Sequence, residues 1–424
     1  MSGSSGLLRV VKFCRYLPEF GWTPTVITAH PRMYEGVSEE QLKLIPEGLE
    51  VLRCSGLNTK WHLSIRGWYP LWLALPDAWV SWSLSATITA LRTIRRKKAD
   101  LILTTFPIAS AIWTGLAVHC LTGRPWIVDL RDTMTEDHHP RDPSTWRVWR
   151  WLEGQAVRRA SLLLFTARSA IHMYLQRYPQ LSQAKCLFLP NGYDEEDFAH
   201  LPIVPDRTLV ATTRPLRLLH SGLVYPEERD PGSFFRALAR LRQEGKITPE
   251  TVQVVFRAAG FEDSYSVTIQ NLGISDIVSF LPRIPYNQAL QECADADALL
   301  VMQAANCDHQ IPAKTYEYLR IGKPILALTT QTGDTAALLH ETGGATIVDL
   351  ANEEEISAAL PAFLNAVRSA THPSPEPSRV ERYARRNQAK VLAECLDAFI
   401  QPAAAAVKAD SLTSAMTVVK TSKE

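Results

Sequence analysis

The stretch QIPAKTYEYLRIGKPILAL, Gln310 to Leu328, holds the most pointed chemistry in the sequence. Lys314 and Glu317 stand three residues apart, which puts both on one face of a helix near its start. Pro312 suits the first turn, where a missing N–H costs nothing. Gly322 suits the C-terminal cap, with Pro324 just outside. A helix N-terminus attracts phosphate, and a lysine there adds a full positive charge. A carboxylate one turn deeper can accept hydrogen bonds from two neighbouring hydroxyls, as on a ribose. The same two residues also read as an i,i+3 ion pair on a solvated face.

A second stretch, LRLLHSGLVYPEERDPGSFFRALARLRQEG, runs from Leu216 to Gly245. An apolar strand ends in Ser221 and Gly222, and the loop after it carries Arg229. Asp230 and Pro231 form an N-cap and N1 pair for a helix with Phe234, Leu238 and Leu241 as its buried stripe. Arg229 is therefore expected just before a helix N-terminus, at the C-terminal edge of a strand. A guanidinium there can clamp a diphosphate bidentately, or it can be a surface arginine of the capping region.

The elements that must position these residues follow an alternating rhythm. Strands are predicted at 23–29, 49–54, 100–105, 125–130, 161–167 and 184–190, with amphipathic helices between most of them. The rhythm pauses at LPIVPDRTLVATTRP (201–215) and resumes with strands at 216–222, 252–260, 277–282, 298–303, 324–330 and 345–350. Such alternation predicts α/β domains with parallel sheets. The expected organisation is an N-terminal domain over 1–200, a linker over 201–215 and a second domain over 216–370. A connector and helix over 371–400 and a disordered tail over 401–424 complete it. Sheets of this kind bind ligands at their C-terminal strand edges, where both motifs fall.

With these two motifs the chain resembles the GT-B glycosyltransferases, within them the retaining family 4, over nearly its whole length to about residue 400. The elements carrying the resemblance are the loop, arginine and DP-helix at 222–231 and PAKTYEYLRIGKPILA at 312–327. LPNGYD (189–194) and PWIVDLRDTMTED (125–137) add to it. The resemblance implies two Rossmann-like domains facing across a cleft. The implied reaction moves a sugar from a nucleotide diphosphate to a hydroxyl acceptor, with retention. Envelope or extracellular polysaccharide or glycolipid synthesis is the expected setting. Glu317 would hold the nucleotide ribose, while Arg229 and Lys314, the expected catalytic cations, would face the diphosphate. Gly6 and Gly222 join the donor-binding set, and Arg131, Asp132 and His138 the acceptor side. GT-B enzymes generally need no metal for catalysis, so neither metal nor cofactor is expected.

The chain departs from the family pattern in three places. His309 stands eight residues before Glu317, where family members often carry a second glutamate near the donor sugar, so it is placed in the donor set. Leu223, not arginine, follows Gly222. The opening SGSSG (2–6) reads either as a tag scar or as the glycine-rich loop facing the donor phosphates, and no strand precedes it. A first strand would lie at the centre of the sheet. Its absence predicts two unpaired strand edges, an internal or misassigned Met1 and a poorly folding first domain.

Other features carry less. DAD (295–297) has the form of a divalent-metal motif but falls at a helix-to-strand turn. The adjacent His138 and His139 would point opposite ways on a strand, which disfavours a shared metal. Asp129, Arg131 and Asp132 read either as acceptor-positioning groups or as an ion-pair network that holds a loop. Seven scattered cysteines argue against a disulfide framework and suit a reducing cytosol. A net charge of +1 gives no electrostatic footprint for nucleic acid. The uncharged run Leu101–Leu121 is split by Pro107 and reads as a buried strand and helix rather than a membrane span. The tryptophan-rich stretch 61–82, with the basic run 92–98, reads either as a peripheral membrane patch or as tryptophans of an ordinary core. The expected location is cytoplasmic, with the inner face of the membrane as a further expectation. Rival readings are an epimerase or phosphorylase on the same fold and a non-catalytic scaffold subunit. A nicotinamide dehydrogenase is disfavoured, because SGSSG is not G-x-G-x-x-G and the strand TVITAHP lacks the ribose-binding acid.

Overall fold

A computed structural model describes residues 6–34, 36, 42–137, 139–199, 201 and 214–400. Ser2–Ser5, His138, most of the expected linker and the tail from 401 lie outside the described residues. By compactness the chain divides into two units. One runs to Leu164, takes up Leu181–Leu187 and is joined again from Arg386; the other holds Phe165–Gln180 and Phe188–Arg385. The expected boundary at 200 therefore moves: the helix Arg168–Arg177 and the segment after Leu187 belong to the second unit.

The second unit is a six-stranded parallel sheet built from β7 (Leu216–Ser221), β8 (Val252–Arg257), β9 (Val278–Leu281), β10 (Ala298–Met302), β11 (Ile325–Leu328) and β12 (Ala345–Val348). Their order is β12-β11-β10-β7-β8-β9, so the winding reverses between β7 and β10. These strands are continuous apolar runs because helices cover both faces. One core joins Leu218, Val254 and Leu300 to Phe234, Phe235 and Leu238 of the helix Gly232–Gln243. The other joins Leu219, Leu299 and Val301 to Tyr316 and Leu319 of the helix Ala313–Ile321.

The first unit carries its strands in two parts. β1 (Thr25–Ala29) pairs in parallel with β2 (Glu50–Cys54). A separate sheet runs in the order β3 (Ile102–Phe106), β4 (Trp126–Leu130), β5 (Leu162–Phe165) and β6 (Cys186–Phe188). Among the described residues no pairing joins β1 and β2 to the sheet of β3 to β6. The helix Gly6–Tyr16 is anchored through Arg9. Its guanidinium donates to both carboxylate oxygens of Asp129 on β4, at 3.1 and 3.0 Å, with both side chains buried. The helix Arg385–Asp397 returns to this unit, where Trp22 donates to Asp397 at 3.0 Å and Arg386 pairs with Glu19 at 2.7 Å.

The uncharged run around Pro107 is strand β3 followed by the helix Ala109–Thr122. No helix among the described residues is long and apolar enough to cross a membrane.

Candidate functional site

The site forms in the second unit at the C-terminal ends of β7 and β10, the switch point where α/β sheets leave a crevice. The helix Ala313–Ile321 starts there. Pro312 is its N-cap rather than its first residue, so Lys314 sits in the first turn among backbone N–H groups with no intrahelical acceptor. Gly322 closes the helix in the left-handed conformation, as the sequence predicts.

Lys314 reaches back over the end of β7. Its Nζ lies 2.9 Å from Nε2 of His220, which is fully buried on that strand. The other ring nitrogen, Nδ1, is 2.9 Å from the carbonyl oxygen of Leu300 on β10. A carbonyl can only accept, so Nδ1 carries the proton and Nε2 offers its lone pair to the lysine ammonium. Burial first, then the charge of Lys314, hold the imidazole neutral by lowering its pKa well below the usual 6.5. Burial, then repulsion from Arg229, bring Lys314 from 10.5 down to about 7. The result is a pocket floor in which Arg229 is charged and Lys314 is poised to take up a proton when an anion approaches.

Gly222 completes the floor. Its φ of +108° suits glycine alone, and a Cβ there would come within 3.0 Å of Lys314 Nζ. Tyr318, a turn further along the helix, holds the same turn through its hydroxyl oxygen, which accepts the N–H of Ser221 at 2.9 Å. Arg229 ends the short helix Pro226–Arg229 instead of lying in open loop, and Nη1 donates to the carbonyl of Leu223 at 3.0 Å. The following helix begins one residue later than expected, with Pro231 as N-cap and Asp230 accepting from the N–H of Gly232 at 3.1 Å.

Glu317 is not paired with Lys314 as an ion pair; its Oε1 accepts from the hydroxyl of Tyr286 at 2.7 Å. Burial raises its pKa, with Tyr286 opposing the shift. Tyr286 opens the helix Tyr286–Asp295, so two helices fix this carboxylate's direction. His309 lies in the β10-to-helix connection, the same connection that ends at Pro312. The structure thus brings Gly222, Arg229, Lys314 and Glu317 to one strand edge. It adds two residues that sequence reasoning missed, His220 and Tyr286. A histidine inside the apolar strand LRLLHS was the available signal for the first; nothing in the sequence links Tyr286 to Glu317.

The remaining candidates are in the first unit. Gly6 opens the helix that carries Arg9. Asp129 accepts from the Arg9 guanidinium through both carboxylate oxygens, the arrangement of the ion-pair reading. Arg131 donates Nε to the carbonyl of Phe106 at 2.7 Å, while Asp132 is exposed on the following loop. That loop is held by Glu153 of the helix Pro143–Arg159, also missed in the sequence, which accepts from the N–H and hydroxyl of Thr135 at 3.1 and 2.9 Å. His138 lies outside the described residues. Asp297 of the DAD triplet is consumed by Arg214, at 2.7 Å to each oxygen, and by the N–H of Arg217. The turn reading holds there.

Residues 8–192 match the family described as a glycosyl transferase 4-like domain. The fold of the whole chain is shared with HepE of Anabaena, solved with UDP-glucose. Identity is 15%, the TM-score 0.61, and coverage 94% of this chain and 97% of that one. Residues 8–192 thus carry a glycosyl transferase 4-like domain, and the chain has the fold of this structure. The lipopolysaccharide outer core galactosyltransferase WaaB is also similar, at 13% identity and TM-score 0.60 over 94% of this chain and 96% of that one. So is a putative UDP-N-acetylglucosamine 2-epimerase from Listeria monocytogenes, at 12% identity and TM-score 0.55 over 94% of each. The sequence matches no curated protein. These likenesses establish the fold, and the chemistry rests on the site.

Proposed function

We propose that the protein transfers a hexosyl group from a nucleotide diphosphate sugar to a hydroxyl of a glycan or lipid-linked acceptor, with retention. The observation that carries the reading is the floor made by Lys314, Arg229 and the helix N-terminus, with the Glu317 carboxylate one turn deeper. A diphosphate seated over the first turn would meet Lys314 and the positive end of the helix. Glu317 would accept from the ribose hydroxyls while Tyr286 holds it in place. The leaving diphosphate gains charge in the transition state, and each fixed donor aimed at it is worth about 3 kcal/mol, roughly a hundredfold in rate.

Glu317 is oriented by Tyr286 as a hydrogen-bond acceptor and is assigned to the ribose, which leaves front-side attack as the preferred route to retention. No metal or cofactor is assigned, because the diphosphate charge is met by side chains and a helix end. His309, in the connection above the same strand edge, is proposed at the donor sugar. Arg131, Asp132 and His138 are proposed on the acceptor side. The likeness to WaaB supports a place in envelope polysaccharide or glycolipid synthesis on the cytoplasmic side of the membrane.

The test is thermal shift with UDP-, GDP- and ADP-sugars, since a bound donor stabilises the fold by mass action. One of them should raise the melting temperature, and Lys314→Gln and Glu317→Ala should each abolish the rise. Unchanged donor affinity in both variants overturns the assignment. The epimerase likeness favours a second reading, in which sugar is released or epimerised without any acceptor; acceptor-free turnover would establish it.

A further inference from the structure

We propose that residues 57–72 dock the protein on the surface of a lipid bilayer carrying anionic headgroups. The segment presents large apolar side chains to water: Ile65 is 77% exposed, Trp68 71% and Trp72 70%, with Trp61 and Leu71 also exposed. Contiguous apolar surface of this kind on a folded unit marks an interaction site.

The backbone is built to hold these side chains out. Ile65 and Trp68 exchange both backbone hydrogen bonds, at 2.9 and 3.0 Å, across Arg66 and Gly67. Both central residues have positive φ, +52° and +80°, which defines the type I′ hairpin turn. Paired residues of such a turn project to the same face, so Ile65 and Trp68 stand side by side. Arg66 adopts a left-handed backbone that a side chain rarely tolerates, a strain characteristic of sites shaped for a purpose. The base of the protrusion is closed. The hydroxyl of Thr59 donates to the carbonyl of Leu73 at 2.7 Å, and its N–H to that of Ala78 at 2.8 Å. Asn58 caps the helix Thr59–His62 through the N–H of Lys60.

The charge around this tip selects the occupant. No aspartate or glutamate occurs from Ser55 to Pro76, while Lys60 and Arg66 are exposed. The next acid, Asp77, is turned inward and accepts from the N–H groups of Ser110 and Trp79. Tryptophan rings belong at the headgroup level of a bilayer, with an apolar tip below them and cations beside the phosphates. The basic run 92–98, grouped with these tryptophans in the sequence, is partly engaged elsewhere. It ends the helix Trp82–Lys97, where Arg96 and Lys97 pair with Glu50.

Cosedimentation of the full chain with large unilamellar vesicles tests the proposal. Vesicles of phosphatidylcholine with phosphatidylglycerol should bind it, and the variant Ile65→Ser/Trp68→Ser/Trp72→Ser should bind at least tenfold less. Lys60→Glu/Arg66→Glu, which alters no apolar contact, should weaken binding to the anionic vesicles while leaving the melting temperature unchanged. Lipids brominated near the headgroup should quench tryptophan fluorescence in the wild type and less so in the triple variant. Absence of vesicle binding, equal binding by the triple and wild-type chains, or wild-type self-association that the triple variant loses without any vesicle binding would each overturn it.

Discussion

Donor binding should draw a proton onto Lys314. Burial and the charge of Arg229 hold this lysine near a pKa of about 7 in the ligand-free site, so much of it is neutral at physiological pH. Only the ammonium offers a charge to a diphosphate, and apparent affinity therefore scales with the protonated fraction. That fraction falls from about three quarters at pH 6.5 to about one thirtieth at pH 8.5 for a pKa of about 7. The apparent dissociation constant of the nucleotide sugar should rise about 25-fold over the interval. Calorimetry at pH 8 in two buffers of different ionisation enthalpy should register about 0.9 proton taken up per donor bound. Lys314→Gln should flatten both the pH dependence and the uptake. Arg229→Gln removes the repulsion and should move the fall in affinity to higher pH. No uptake in the wild type, or an undiminished pH dependence in Lys314→Gln, refutes the reasoning. The same depression has a stability consequence. The unfolded chain keeps the proton up to about pH 10.4 while the folded chain releases it near 7, so ligand-free stability rises with pH between those values. Lys314→Met should lose that rise in thermal melts from pH 7.5 to 9.5.

Gly222→Ala, at φ +108° with Lys314 Nζ 3.0 Å from the new methyl, should cost about 1–2 kcal/mol and weaken donor binding. Gly245→Ala, at φ +69° with nothing within 4 Å, should cost stability alone. Chemical denaturation beside donor titration separates the two. Tyr286→Phe removes the donor to Glu317 and should weaken nucleotide sugar binding by about 5-fold, near 1 kcal/mol, with no change in melting temperature. Arg9→Leu strands a buried Asp129 and should destabilise the first unit by about 3–5 kcal/mol, with Arg9→Leu/Asp129→Leu costing clearly less in urea unfolding. His220 stays neutral only while buried, so ligand-free stability should fall as pH drops below about 6.5, and His220→Gln should blunt that fall.

The order of elements was legible in the sequence because a parallel sheet covered on both faces demands apolar runs, and those runs are visible without any partner. β7, β8, β10 and β11 fall where the runs at 216–222, 252–260, 298–303 and 324–330 place them, shortened at the ends where pairing stops. The cap of the Lys314 helix was legible for the same local reason, since Gly322 and Pro324 act within one turn. The pairing of distant side chains was not. Whether Glu317 faced Lys314 or Tyr286, whether Asp129 met a substrate or Arg9, and whether Arg96 and Lys97 met Glu50 were decided by tertiary packing. Periodicity fixes which face of an element is buried; it says nothing about which residue, dozens or hundreds of positions away, meets that face. The chemistry of the Lys314 site belongs to that second kind of fact. A lysine in a first turn is only a solvated cation until a buried, neutral His220 from another strand accepts its hydrogen bond and the surrounding protein removes the water.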